Sequence, residues 1–125
     1  MLNGGAGSDW LSGGNAGDTF VFDSALGATN VDTIAGFDGA GSVSLDQIQL
    51  ASSVFSGLTS GVLASSAFES GSDDLAGGAA VRILYNTTSG ALFYDADGSG
   101  AGAAIQFAVL TNKPAGLAAS DFVVV

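Results

Sequence analysis

A tandem nonapeptide near the N-terminus limits what this chain can fold into more than any other feature. Residues Gly4-Gly5-Ala6-Gly7-Ser8-Asp9-Trp10-Leu11-Ser12 fit the pattern G-G-x-G-x-D-x-U-x, with U a large apolar residue. The next nine, Gly13-Gly14-Asn15-Ala16-Gly17-Asp18-Thr19-Phe20-Val21, fit it again, with Ala16 in place of the glycine at the fourth position. In each unit the apolar residue two places after Asp points inward on a short strand. The six preceding residues turn the chain, and glycine there permits positive φ and leaves backbone carbonyls open. Each unit is then half a coil, so successive turns alternate between two edges of the fold.

The Asp-x-apolar signature continues beyond the two repeats, at Asp32-Thr33-Ile34 and Asp46-Gln47-Ile48. Its acids are spaced by 9, 14 and 14 residues. The same coil with five extra residues in each later turn explains that spacing. It predicts that Asp9 and Asp32 share one edge and that Asp18 and Asp46 share the other. The segments Thr19-Phe20-Val21-Phe22, Thr33 to Phe37 and Gln47-Ile48-Gln49-Leu50 are the strands expected between them.

Composition narrows the chemistry. Of 12 acids 11 are Asp, and Glu69 is the exception; Arg82 and Lys113 are the two bases, for a net charge of -10 over 125 residues. Asp is a poor helix-interior residue and a good turn residue, so an Asp-Gly chain rich in Val and Phe reads as strands joined by tight turns. Without Cys or His the sequence has no Cys- or His-based zinc site, no thiol nucleophile and no Ser-His-Asp triad. Two bases make no footprint for nucleic acid. No apolar run reaches the roughly 18 residues of a membrane span. Leu, Ile, Val and Phe make up 34 of 125 residues, above the roughly 20% that marks disordered chains. The acidity has two readings, a solvated surface or a set of hard oxygen ligands for calcium.

With these residues in view, 4–50 resembles the end of an RTX β-roll, the calcium-binding parallel solenoid of proteins exported by type I secretion systems. Asp18-Thr19-Phe20-Val21-Phe22, Asp32-Thr33-Ile34 with Phe37, and Asp46-x-Ile48-x-Leu50 resemble the join between the last repeats and the C-terminal cap of serralysin-type metalloproteases and other RTX exoproteins. The resemblance implies Ca2+ held by Asp9 and Asp18 and by the carbonyls of their turns, with Gly5, Gly7, Gly14 and Ala16 as the carbonyl positions. Asp32 and Asp46 are further candidate ligands, or turn residues that cap a strand. Ala16 and the stretch 42–45 depart from the family pattern. Asp23 and Asp38 read as solvated turn acids.

The expected fold is all-β: a short parallel β-roll over residues 1–50, then a cap over 51–125 built from a β-meander and a few short helical turns, the two forming one continuous unit. In the cap, 51–80 carries spaced anchors at Val54, Phe55, Leu58, Leu63 and Phe68, and Asp73-Asp74 sits in a Ser-Asp loop. Strands are expected at 81–85, 91–94 and 104–110. Between the last two, Asp95-Ala96-Asp97-Gly98-Ser99-Gly100 imitates the opening of an EF-hand loop, but Gln106 stands where the bidentate Glu belongs. A tight turn is one reading there, and an extra calcium site through Asp95 and Asp97 the other. The terminal Ser120-Asp121-Phe122-Val123-Val124-Val125 resembles an uncleaved type I secretion signal and also reads as a last strand. Met1 to Gly5 has neither the basic nor the apolar region of a secretory signal peptide.

The resulting expectation is a non-enzymatic, monomeric calcium-binding tail of a secreted bacterial protein. Its partners are calcium ions and, through its C-terminal residues, the type I (ABC) exporter, with no nucleic acid and no membrane insertion. It is unfolded in the low-calcium cytosol and folds outside the cell. Two alternatives stay open: a structural or adhesive solenoid that needs no metal, and the non-catalytic tail of a secreted hydrolase such as a serralysin-like protease.

Overall fold

The computed structural model describes residues 1–14, 16–38, 45–72, 77–98, 104–114 and 116–125. The described residues form eleven strands: β1 (Leu2–Asn3), β2 (Trp10–Ser12), β3 (Thr19–Phe22), β4 (Asp32–Ala35), β5 (Gln47–Leu50), β6 (Gly61–Val62), β7 (Phe68–Gly71), β8 (Ile83–Asn86), β9 (Ala91–Tyr94), β10 (Ile105–Leu110) and β11 (Phe122–Val124). Two single 3-10 turns, Ser65–Ala67 and Ala119–Asp121, are the helical elements among the described residues. The protein is all-β, with two mixed sheets ordered β1-β3-β5-β11-β6 and β2-β4-β10-β9-β8-β7.

Up to Leu50 the chain changes sheet at every strand, and every pairing is parallel: β1 with β3 and β3 with β5 in one sheet, β2 with β4 in the other. The period-2 pattern explains the register. Leu2, Phe20 and Ile48 align in one sheet and Leu11 with Ile34 in the other. Phe20, Ile34 and Ile48 are fully buried. A slip by one residue would turn each of these side chains to solvent, so burial fixes the register.

The strands after residue 50 complete the sheets begun before it. β8, β9 and β10 form the expected antiparallel meander, with an irregularity between Gln106 and Ala108. β10 then pairs parallel with β4, and β11 pairs parallel with β5, placing Phe122 beside Ile48. The 51–80 segment contains one of the expected short helical turns, Ser65–Ala67, and two strands that were not expected. It supplies β6, antiparallel to β11, and β7, parallel to β8. Its anchors pack as expected: Phe55 and Leu63 are buried, and Val54, Leu58 and Phe68 lean on the core.

One buried cluster draws on both sheets. Phe55 meets Phe107 and Tyr94 edge-on at centroid distances of 5.1 and 5.3 Å, and Phe22 meets Phe107 at 5.2 Å. Edge-to-face rings at such distances contribute about 0.5–1.5 kcal/mol beyond their buried area. The Tyr94 hydroxyl donates to the Ser56 carbonyl, and that of Tyr85 donates to the Pro114 carbonyl at 2.9 Å, so neither buried phenol is stranded. No helix among the described residues is long and apolar enough to cross a membrane.

Candidate metal centre at two paired carboxylate edges

The parallel register brings together the pairs that the spacing predicts. Trp10 aligns with Thr33, and the residue before each is the repeat acid Asp9 and its partner Asp32. The Asp9 backbone N–H donates to Asp32 Oδ1 at 2.9 Å, and Thr33 N–H donates to the Asp9 carbonyl at 2.7 Å. The other sheet repeats the arrangement. Asp18 N–H donates to Asp46 Oδ1 at 2.8 Å, and Gln47 N–H donates to the Asp18 carbonyl at 2.7 Å. Asp32 and Asp46 are buried, at 3% and 1% exposure.

The repeat acids themselves are unsatisfied. Asp9 Oδ2 and Asp18 Oδ2 are buried atoms without a hydrogen-bond partner. Each carboxylate folds back over the first glycine of its own turn. A Cβ on Gly4 would lie 2.8 Å from Asp9 Oδ2 and 3.1 Å from Asp32 Oδ2, so the two carboxylates of this edge converge on one point. A Cβ on Gly13 would overlap the Asp18 carboxylate. Burying a carboxylate oxygen with nothing to answer it is costly. Two such oxygens at equivalent places in two repeats call for a positively charged partner.

Electrostatics agree at the first edge. Burial pushes the Asp32 carboxyl above its ordinary 3.8; the Asp9 N–H pulls it down, and the Asp9 charge raises it further. A small hollow lined by Gly5, Ser24, Asn30 and Asp32 adjoins this edge.

The turns differ in detail. In the first, Gly5 and Gly7 have φ of +76° and +107°. An L-residue adopts the latter only under strain, and Ala16 stands at the matching position of the second repeat. Ser8 Oγ donates to the Thr29 carbonyl at 3.3 Å and accepts from Val31 N–H at 3.1 Å, tying the turn to the next coil. The second turn has Gly17 there instead, and a Cβ on it would come within 2.6 Å of the Leu45 carbonyl. Gly14 has φ of +92°, and Asn15 lies outside the described residues.

Asp46 is engaged on both oxygens. Its Oδ2 accepts Asp38 N–H at 3.0 Å, and its own N–H donates to the Asp38 carbonyl at 2.7 Å. The expectation of solvated turn acids misses this role of the Asp38 backbone, as it misses Ser8. Asp23 accepts both its bonds from Asn3 Nδ2, each at 3.0 Å.

The remaining acids lie apart from these edges. Asp95 is buried and accepts Asp97 N–H at 3.3 Å, the fold-back of a tight turn. Burial raises its pKa above 3.8, and a hydrogen bond and the charge of Asp97 add to the rise. Ser99 and Gly100, the rest of the EF-hand-like opening, lie outside the described residues, as do Asp73 and Asp74. Asp121 is buried and accepts Ala118 N–H at 2.9 Å, closing the turn before β11. Among the described residues no three acids gather into one cluster. Any cation at these edges would therefore rest on one or two carboxylates, completed by backbone carbonyls and water.

No family model matches the chain, and neither does any curated protein or solved structure.

Proposed function

We propose that this protein is a calcium-binding β-roll module of the RTX type, the C-terminal part of a protein exported by type I secretion. The observation that carries the reading is the pair of buried, partnerless oxygens, Asp9 Oδ2 and Asp18 Oδ2, at equivalent positions of two glycine-rich repeats. The alternation of parallel strands between two sheets over residues 1–50 supports the roll.

The residues fit a hard cation. Asp9 with Asp32 would hold it on the first edge and Asp18 on the second, helped by the carbonyls of Gly5, Gly7, Gly14 and Ala16. Calcium takes 6–8 oxygens, mixing carboxylate, carbonyl and water, which suits sites poor in acids but rich in open turns. When bound, the ion supplies positive charge that relieves the buried carboxylates. The chain does the rest. Asp32 and Asp46 hold the turns in register through N–H groups, and the apolar columns beneath hold the strands.

The proposed role is conditional folding. At low calcium the carboxylates repel, and the glycine turns are costly to order. The chain then stays open for export. In this reading Asp121 to Val125 address it to the exporter while unfolded, and Phe122–Val124 of that stretch form the strand β11 afterwards. Extracellular calcium modules bind at roughly 10⁻⁴–10⁻³ M. One site at a hundredfold calcium excess adds about 2.7 kcal/mol, against a typical domain stability of about 5–15 kcal/mol. Circular dichroism during a calcium titration tests this: β signal is expected to grow with calcium, and a signal already complete in EDTA contradicts it. Deleting Asp121 to Val125 is expected to abolish export from a host with a type I exporter. A metal-independent structural module is the second reading, favoured at the second edge by the two hydrogen-bonded oxygens of Asp46.

A further inference from the structure

The two edges look alike in the sequence but divide their carboxylate oxygens differently. At the first edge Asp32 gives one oxygen to the Asp9 N–H, and its Oδ2, like Asp9 Oδ2, lies within 3.1 Å of where a Cβ on Gly4 would sit. At the second edge Asp46 has given away both. One oxygen takes the N–H of Asp18, the residue whose own Oδ2 is partnerless, and the other takes the N–H of Asp38. The Asp46 N–H returns a bond to the Asp38 carbonyl, so Asp38 and Asp46 clasp each other twice. The side chain making these bonds is 1% exposed.

From this we infer that Asp46 is a positioning residue and not a metal ligand. It works through Asp18, by fixing the backbone from which the Asp18 carboxylate projects over Gly13. The inference rests on the calcium reading and sharpens it. The first edge offers a cation two carboxylates, and the second offers one carboxylate on a scaffold closed without metal. Two consequences follow. As calcium is withdrawn from the folded protein, the first edge loosens before the second. The first edge also holds calcium more tightly, since a second carboxylate adds charge to the site.

The test uses the full chain as wild type, Asp46→Asn and Asp18→Asn. Calcium stoichiometry comes from calorimetry. Bound water is counted from the luminescence lifetimes of directly excited terbium, a calcium surrogate, in H2O and D2O. Asn at 46 can still accept the Asp18 N–H but cannot accept a second N–H through its amide nitrogen. Expected for Asp46→Asn are an unchanged number of sites, an unchanged water count and an affinity at one site reduced roughly tenfold, the size of one charge-assisted hydrogen bond. Expected for Asp18→Asn is the loss of one site. The inference is overturned if Asp46→Asn loses a site or gains a bound water, as removal of a ligand would require, or if it leaves affinity untouched. Amide hydrogen exchange of the wild type, at the lowest calcium concentration that keeps it folded, keeps the claim testable should Asp46→Asn fail to fold. Slow exchange at Asp18 and Asp38 with faster exchange at Asp9 supports the clasp, and equal, fast exchange at all three refutes it. A wild type that binds no calcium while showing that same slow exchange would leave the clasp standing and remove the calcium reading alone.

Discussion

The Asp9–Asp32 edge and the Asp18–Asp46 edge start from the same nonapeptide and reach different solutions. Both put a repeat acid one residue before a strand, hand its N–H to an acid in the next coil, and leave its Oδ2 buried and partnerless. The first edge ties its turn to the neighbouring coil through a side chain, Ser8. The second does so by close backbone approach, with Gly17 under the Leu45 carbonyl, and by the double clasp of Asp38 and Asp46. The lesson is that a repeat motif specifies where a carboxylate will be, while the residues between repeats decide how firmly the backbone around it is tied.

The largest effect that would break this comparison is loss of the first site. In millimolar calcium, Asp9→Asn is expected to forfeit the whole stabilisation from one ion, about 2.7 kcal/mol at hundredfold excess, measured as the difference between urea midpoints with and without calcium. In EDTA the same variant is expected to equal or exceed the wild type, because it removes a charge facing Asp32. Equal losses in calcium and in EDTA would mean that Asp9 serves folding and not metal.

Next in size is Gly17→Ala. Its Cβ would press on the Leu45 backbone carbonyl at 2.6 Å, so a loss of about 1–3 kcal/mol is expected with or without calcium. The matching change on the first edge, Ser8→Ala, removes two hydrogen bonds near the surface and is expected to cost about 1 kcal/mol. A reversal of that order in thermal melts would contradict the backbone approach described for the second edge.

Gly7→Ala is expected to cost about 1–2 kcal/mol, because φ of +107° strains any L-residue. It should also weaken calcium at the first edge and leave the second untouched.

The smallest effect is on pH. The Asp32 and Asp95 carboxyls are raised above 3.8 in the folded state, so the folded protein holds protons that the unfolded chain releases. Their contribution is present in full below pH 3.8 and is lost as pH rises through the folded values. In EDTA, stability attributable to these groups should thus fall as pH rises from the unfolded carboxyl range. Calcium should cancel the Asp32 part and leave the Asp95 part. Asp32→Asn is expected to flatten the EDTA profile, and an unchanged profile would refute the assignment.

Much of the paired edges was legible before any coordinates. The spacing of 9, 14 and 14 residues forecasts the partnering of Asp9 with Asp32 and of Asp18 with Asp46, because strand register follows from alternating side chains once the turns are counted. The hairpin joining β8 to β9 was equally plain from Asn86 to Gly90 between apolar runs. What stayed hidden is non-local. Nothing in Gly61-Val62 or in Phe68-Glu69-Ser70-Gly71 alternates clearly enough to announce strands, and these form by pairing with segments already in place. The parallel return of β10 to β4 and of β11 to β5 depends on contacts such as Asn112 Nδ2 donating to the Phe37 carbonyl at 2.8 Å, 75 residues apart. The double engagement of Asp46 was hidden for a similar reason, since a carboxylate's partners are backbone groups that carry no sequence signal.

The most direct measurement of the central claim is the melting temperature of the full chain in EDTA and again in millimolar calcium, followed by scanning calorimetry. With about 2.7 kcal/mol per occupied site and roughly 3–5 °C per kcal/mol for a chain this long, the account predicts a rise of about 10 °C for each ion bound. Superimposable melting curves in the two buffers would contradict it.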